Sequence, residues 1–202
     1  QIESVLSYQQ EHQVRFGVAA IKLGYATEKD VLFALARQYR YPYAMEGSQN
    51  CSPELVIAHD PFGEQAEVFR ELRSQLLQGA MDVRADGRRP AMALISPNVG
   101  DGKSFFAANL AVAFGQLGGR TVLIDADMRT PRQHEMFNVD GQIGLSSVLA
   151  GRTKHQVVHR VAGIPSLYIM PVGAIPPNPL ELVQGMPFNM LLREMTQKFD
   201  HV

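Results

Sequence analysis

The sequence predicts an α/β protein in which an open, mostly parallel sheet is flanked by helices and preceded by a small helical module. Three observations predict it. From Ala91 onward short apolar runs alternate with helical ones, a glycine-rich turn follows the first of these runs, and residues 1–43 carry only helix-spaced apolar positions.

Residues 1–43 read as short helices. Val31, Leu32, Leu35 and Ala36 recur at helical spacing behind Thr27 and Asp30, a capping-box pair, and Gly24 closes the helix before. Residues 44–61 hold Gly47, Ser48, Asn50, Ser52, Pro53 and Pro61, and this turn-rich stretch is expected to be a linker. The main domain spans 62–202. Its first helix is expected over Glu64 to Leu77.

Ala91 to Ile95 is a short apolar run and reads as the first strand. Phe105 to Leu117 is a helical run stopped by Gly118 and Gly119. Thr121 to Ile124 is apolar and β-branched, hence a second strand, and the three pieces make one βαβ unit. Such a unit buries its strands under helices and requires a right-handed crossover, which is why the sheet is expected to be parallel. Leu167 to Val172 and Asp200 to Val202 are expected as further strands, with Leu180 to Met195 helical between them.

Composition narrows the function classes. At ~150 residues per domain, 202 residues leave room for one full domain and a small extra module. Apolar residues make up 46% and charged residues 19%, an ordinary globular balance. Nineteen Lys and Arg against twenty Asp and Glu leave a net charge of −1, so no overall field draws the chain to nucleic acid or acidic lipid. The single cysteine, Cys51, cannot form an internal disulfide and is expected to be inert; a reducing, cytoplasmic setting fits. No apolar stretch approaches the length of a membrane span. The start at Gln1 without Met and the end at Val202, in mid-strand, are expected to be those of a fragment.

The chemistry lies in two turns. Between the first strand and the long helix runs Ser96-Pro97-Asn98-Val99-Gly100-Asp101-Gly102-Lys103-Ser104. Gly100 and Gly102 let the backbone curl so that its N–H groups face an anion at a helix N-terminus. Lys103 would reach the β- and γ-phosphates of ATP, and the Ser104 hydroxyl would ligate Mg²⁺. The expected nucleotide contacts are Gly100, Asp101, Gly102, Lys103, Ser104 and Phe105. Pro97 stands where the simple P-loop pattern has its first glycine. After the second strand come Asp125 and Asp127, placed on one face by the period of two. Ligands of open parallel sheets sit at the carboxyl ends of strands, so both acids are expected beside the phosphates, as metal contact and proton acceptor. Asp125, Asp127 and Lys103 are therefore the expected catalytic residues, with Ser104, Asp125 and Asp127 the expected metal set.

The glycine turn, the Ala107-Ala108-Asn109-Leu110-Ala111 that follows it, and Leu123-Ile124-Asp125-Ala126-Asp127-Met128-Arg129 with Pro131 resemble the bacterial tyrosine kinases of exopolysaccharide and capsule export. Gly144 to Gly151 and the run Pro176-Pro177-Asn178-Pro179 resemble later elements of that family, and the resemblance covers about residues 62–202. It implies a P-loop NTPase fold of the ParA and MinD type and an ATP-dependent autokinase that phosphorylates tyrosines on neighbouring subunits. It also implies a membrane-anchored chain-length-determinant protein as partner, hence a place at the inner membrane. Glu67, Arg70 and Arg73 fit the family's E-x-x-R-x-x-R motif, which implies ring-like self-association; exposed helix ion pairs are the alternative. A third nucleotide motif and a tyrosine-rich tail are implied beyond Val202.

Arg15-Phe16-Gly17, Gly24, Val31, Leu35 and Gln38 form a spaced pattern whose tail recurs at Ile2, Leu6 and Gln9. It resembles the N-terminal domain of type II secretion and pilus ATPases, some of which bind cyclic di-GMP. Arg15, Gly17, Gly24 and Gln38 are the implied contacts, and a helical docking domain without ligand is the alternative. Tyr39, Tyr41 and Tyr43 read as packing aromatics rather than phosphate acceptors. Two other functions share these motifs. One is a ParA/MinD-type positioning ATPase, whose signature lysine is replaced here by Asn98; the other is a regulatory subunit that senses nucleotide or cyclic di-GMP without transferring phosphate.

Overall fold

The structure, a computed structural model, describes residues 1–39, 51–85, 87, 89–153 and 157–202. Three helices open the chain: α1 (Ile2–His12), α2 (Phe16–Lys22) and α3 (Glu28–Gln38). The capping box forms as expected, with the Thr27 hydroxyl accepting from the Asp30 amide and the Asp30 carboxylate accepting from Thr27. Gly24 takes a φ of 72° and ends the turn after α2. Val5, Ala19 and Ala20 form a small core of their own, and Tyr39 meets Phe62 edge to face at 6.2 Å. Tyr41 and Tyr43 lie outside the described residues.

Helix α4 (Val56–His59) lies within the stretch read as a linker, yet Leu55, Ile57 and Ala58 are fully buried in the main core. They pack against α5 (Glu64–Gln78) and α6 (Lys103–Gly115). Asn109, fully buried on α6, fastens this segment: its amide donates to Glu54 O and Phe105 O, and its oxygen accepts from the Ile57 amide. A polar side chain at that depth needs every such bond, since an unpaired one costs roughly 1–3 kcal/mol.

The sheet is small and mixed. Strand β1 (Thr121–Ile124) pairs in parallel with β3 (Leu167–Met170), Thr121 opposite Leu167. Strand β2 (His159–Arg160) pairs with β3 in antiparallel, so the expected mostly parallel sheet holds for β1 and β3 while β2 makes it mixed. The reason is the connection: a tight turn over 161–166 joins β2 to β3, and so short a link can only reverse the chain. His201 bridges Thr121 in parallel, as expected for a strand there. The run Ala91–Ile95 is not a ladder strand. Its Met92 amide donates to the carbonyl of Val202, the one such bond among the described residues, and Ile95 is 89% exposed.

Period-two alternation along β3 divides the core. Leu167 and Ile169 face α4, α5 and α6, whereas Tyr168 and Met170 face α8 (Leu145–Leu149), α9 (Pro179–Gln184) and α10 (Met186–Lys198). Gly185, in extended backbone ahead of Pro187, splits the single helix expected over 180–195 into α9 and α10. Between the sheet and α8, Gly144 lies against the Pro171 carbonyl and Gly173 so closely that a Cβ on it would clash with backbone. The Leu145 and Ser146 amides accordingly bond the carbonyls of Pro171 and Val172.

Candidate functional site

A cleft of about 630 Å³ opens at the carboxyl end of β1. Lys103 and Ser104 line it from α6, Asp125 and Asp127 from the turn that follows β1, and Gln133 from α7 (Gln133–Met136). The two turns singled out from sequence are thus brought together.

In the glycine turn, Gly100 and Gly102 take φ values of 93° and 84°, a region that side chains with a Cβ disfavour. Gly102 is the residue before α6, so the first amides of that helix, which have no intrahelical acceptor, face outward at Lys103, Ser104 and Phe105. Asp101 braces the turn by accepting from the Asn98 amide at 3.0 Å. The Phe105 ring packs edge to face on Phe69, which leaves its backbone amide as the group it can offer a ligand.

The acidic turn is gripped far more tightly. Asp125 is only 6% exposed. Its Oδ1 accepts from the Asp127 amide, and its Oδ2 from the amides of Arg132 and Gln133, at 3.0–3.1 Å. Asp127 accepts from the Arg129 and Thr130 amides on Oδ1 and from the Thr130 hydroxyl on Oδ2. A carboxylate has about four acceptor sites, so each acid keeps about one for a ligand. Burial pushes the Asp125 carboxyl above its ordinary value, and the three amides only partly offset it. Burial acts upward on Asp127 too, but the Thr130 and Arg129 bonds and the nearby Lys103 hold it below that value.

Sequence reading missed Gln133. It is 3% exposed, its amide group donates to Ser104 O, and its carboxamide oxygen has no partner. The Ser104 carbonyl fixes which end of the carboxamide carries the protons. Nothing in the sequence marks this glutamine, whose role comes only from the fold of the acidic turn. Among the described residues no group of three or more His, Cys, Asp or Glu could hold a metal. Two carboxylates, a hydroxyl and an orphaned buried oxygen fit Mg²⁺, which keeps several waters and takes further oxygens from phosphate.

The other candidates fall elsewhere. Arg70 pairs with Glu67 at 2.6 Å and also donates to Pro61 O. Arg73 is buried and donates to Ala113 O in the last turn of α6. Arg15, just ahead of α2, Gly24, in the turn after it, and Gln38, at the end of α3, are exposed, while a Cβ on Gly17 would come within 2.6 Å of Val31. Among the described residues no helix is long and apolar enough to cross a membrane.

No protein-family model matches the chain. It is 31% identical over 148 residues to a putative tyrosine-protein kinase, CapB, of Staphylococcus aureus, covering 73% of this chain and 63% of that protein. It is 42% identical over 101 residues to the tyrosine-protein kinase ptk of Acinetobacter johnsonii, covering 50% of this chain and 14% of that one. The chain thus spans less than two thirds of either relative. Among solved structures, the chimerical protein CapA2B2 superposes with a TM-score of 0.67 at 30% identity, over 85% of this chain and 73% of that one. The kinase domain of the Escherichia coli tyrosine kinase ETK gives 0.65 at 28%, over 73% and 56%.

Proposed function

We propose that this chain, a homologue of the bacterial tyrosine-protein kinases, supplies the nucleotide site of an ATP-dependent protein-tyrosine autokinase acting in exopolysaccharide or capsule synthesis. The observation that carries the reading is the meeting of Lys103 and Ser104 with Asp125 and Asp127 in one cleft. Lys103 and the outward amides of the glycine turn hold the phosphates, and Ser104 with one acid holds Mg²⁺. When bound, Mg²⁺ neutralises charge that builds on the phosphate oxygens. The chain's own part is positioning. Asp127, the less buried acid, would accept the proton of an incoming tyrosine hydroxyl; Asp125, buried and amide-bound, would be the acid that holds Mg²⁺ in place.

Incubating the protein with γ-labelled ATP tests this. Phosphotyrosine is expected; free phosphate alone would mark a positioning ATPase, and neither product a nucleotide sensor. We further infer that the active form is a homo-oligomer and that a membrane chain-length-determinant protein is its partner. Relatives named CapB and a chimera named CapA2B2 support that reading. Cyclic di-GMP binding by residues 1–43 rests on the sequence pattern at Arg15, Gly24 and Gln38, because Gly17 is accounted for by packing against Val31. Calorimetric titration of the protein with cyclic di-GMP decides it, and absence of heat removes it.

A further inference from the structure

We propose that Glu54, on the core-packed segment ahead of α5, positions the Asp125 carboxylate by way of Arg132. The inference rests on the nucleotide reading of the cleft but draws on residues outside its motifs. Arg132 has two attachments that pull on one residue. Its backbone amide donates to Asp125 Oδ2 at 3.1 Å, and its guanidinium donates to Glu54 Oε1 at 2.6 Å. The next amide, that of Gln133, donates to the same Asp125 oxygen, so a shift of Arg132 moves two of the three bonds that hold the acid.

Glu54 is itself a fixed point. Its carbonyl accepts from buried Asn109 on α6, the helix that begins with Lys103 and Ser104. Its amide bonds the Ser52 hydroxyl, and the Ser52 amide bonds Met136 O at the far end of α7. The segment around Glu54 therefore touches α6 through its backbone and the acidic turn through its carboxylate. The distance between the two turns of the site is set in part by this brace. Two ordinary ion-pair roles would be a solvated surface pair or a pair within one element, whereas here the partners are 78 residues apart and one of them carries an amide that binds the acid.

The pair is partly exposed, at 47% for Arg132 and 38% for Glu54, so the expected effect is modest. Glu54→Gln and Arg132→Gln should each speed hydrogen exchange at the Arg132 and Gln133 amides about 1.5- to 5-fold, the scale of an exposed ion pair. The β1 amides should stay unchanged. The Mg²⁺-dependent part of nucleotide affinity should weaken by the same factor while Mg²⁺-free affinity holds. The swap Glu54→Arg with Arg132→Glu should restore both. Unchanged exchange in both single variants overturns the proposal, as does equal acceleration across β1, which would mean general loosening. If the unaltered protein binds nucleotide with no dependence on Mg²⁺, the reading of the cleft fails, and the exchange rates still decide whether Glu54 holds the acidic turn.

Discussion

The glycine turn and the acidic turn face each other across one cleft and are built in opposite ways. Residues 125–133 place six hydrogen-bond donors on two carboxylates. Residues 96–104 hold themselves with far less, chiefly the Asn98 amide on Asp101 and the Ser96 hydroxyl on Asn98 O, and keep Gly100, Asp101 and Gly102 exposed. The difference teaches which side is set before a ligand arrives. Carboxylates aimed at a metal must be oriented in advance, since each degree of freedom left to them weakens the hold. Backbone amides aimed at phosphate must stay open, because an internal partner would compete with the anion.

The sharpest way to break the comparison is to remove the one positive charge on the open side. Lys103→Met should lower Mg·ATP affinity by about 100-fold, read by fluorescent-nucleotide titration, since a charge-assisted contact to phosphate is lost. Unchanged affinity would mean that the glycine turn is no phosphate cradle. Gly102→Ala comes next. At a φ of 84° the added Cβ costs about 1–2 kcal/mol, and nucleotide affinity should drop about tenfold as α6 reorients its first amides. Full retention would show that the turn's curl does not matter.

Arg73→Ala tests whether the helix behind the open turn is anchored from its other end. Its guanidinium meets Ala113 O in the last turn of α6, where a cation suits the helix dipole. We expect a loss of about 1–3 kcal/mol in chemical denaturation, the cost of a buried group left unpaired. Paired with Arg70→Ala and followed by sizing, the same variant separates this role from oligomer contact: lowered stability at unchanged mass means a cap alone.

The smallest effect concerns the two acids in metal-free buffer. Asp125 has its folded-state pKa raised by burial, so the folded state keeps its proton more readily than the unfolded chain. Its ionisation therefore costs stability as pH rises from the ordinary carboxylate value, and Asp125→Asn should gain on the unaltered protein over that window. Asp127, held below its ordinary value, contributes in the other sense. Its stabilisation is present above the unfolded value and lost as pH falls through the folded one. Thermal midpoints of both variants against pH should diverge in these opposite directions; parallel curves would erase the contrast between the acids.

What could be seen in the sequence follows from how local each signal is. β1 and its two aspartates were legible because an apolar β-branched run ending in acid has few other readings. Helix α6 and the glycine turn were legible from glycine placement. The segment at 52–59 was not, because Ser52 and Pro53 announce a turn while Leu55, Ile57 and Ala58 become core only when α5 and α6 are packed beside them. Ala91–Ile95 shows the reverse limit, since periodicity marks an apolar run but does not say whether it joins a ladder, and here the Met92 amide donates to the Val202 carbonyl without a ladder strand over 91–95. Gln133 and Glu54 were invisible because their partners are 29 and 78 residues away.

One junction bears on how freely this chain can vary. At Gly144 and Gly173 two stretches of backbone meet with no side chains between them, leaving nothing soft to absorb a change. A single methyl there would have to be accommodated by displacing main chain, and the exit of β3 would shift with it. Alanine at either position should yield a protein that matures poorly when warm, although neither glycine lies in the turns that bear the chemistry.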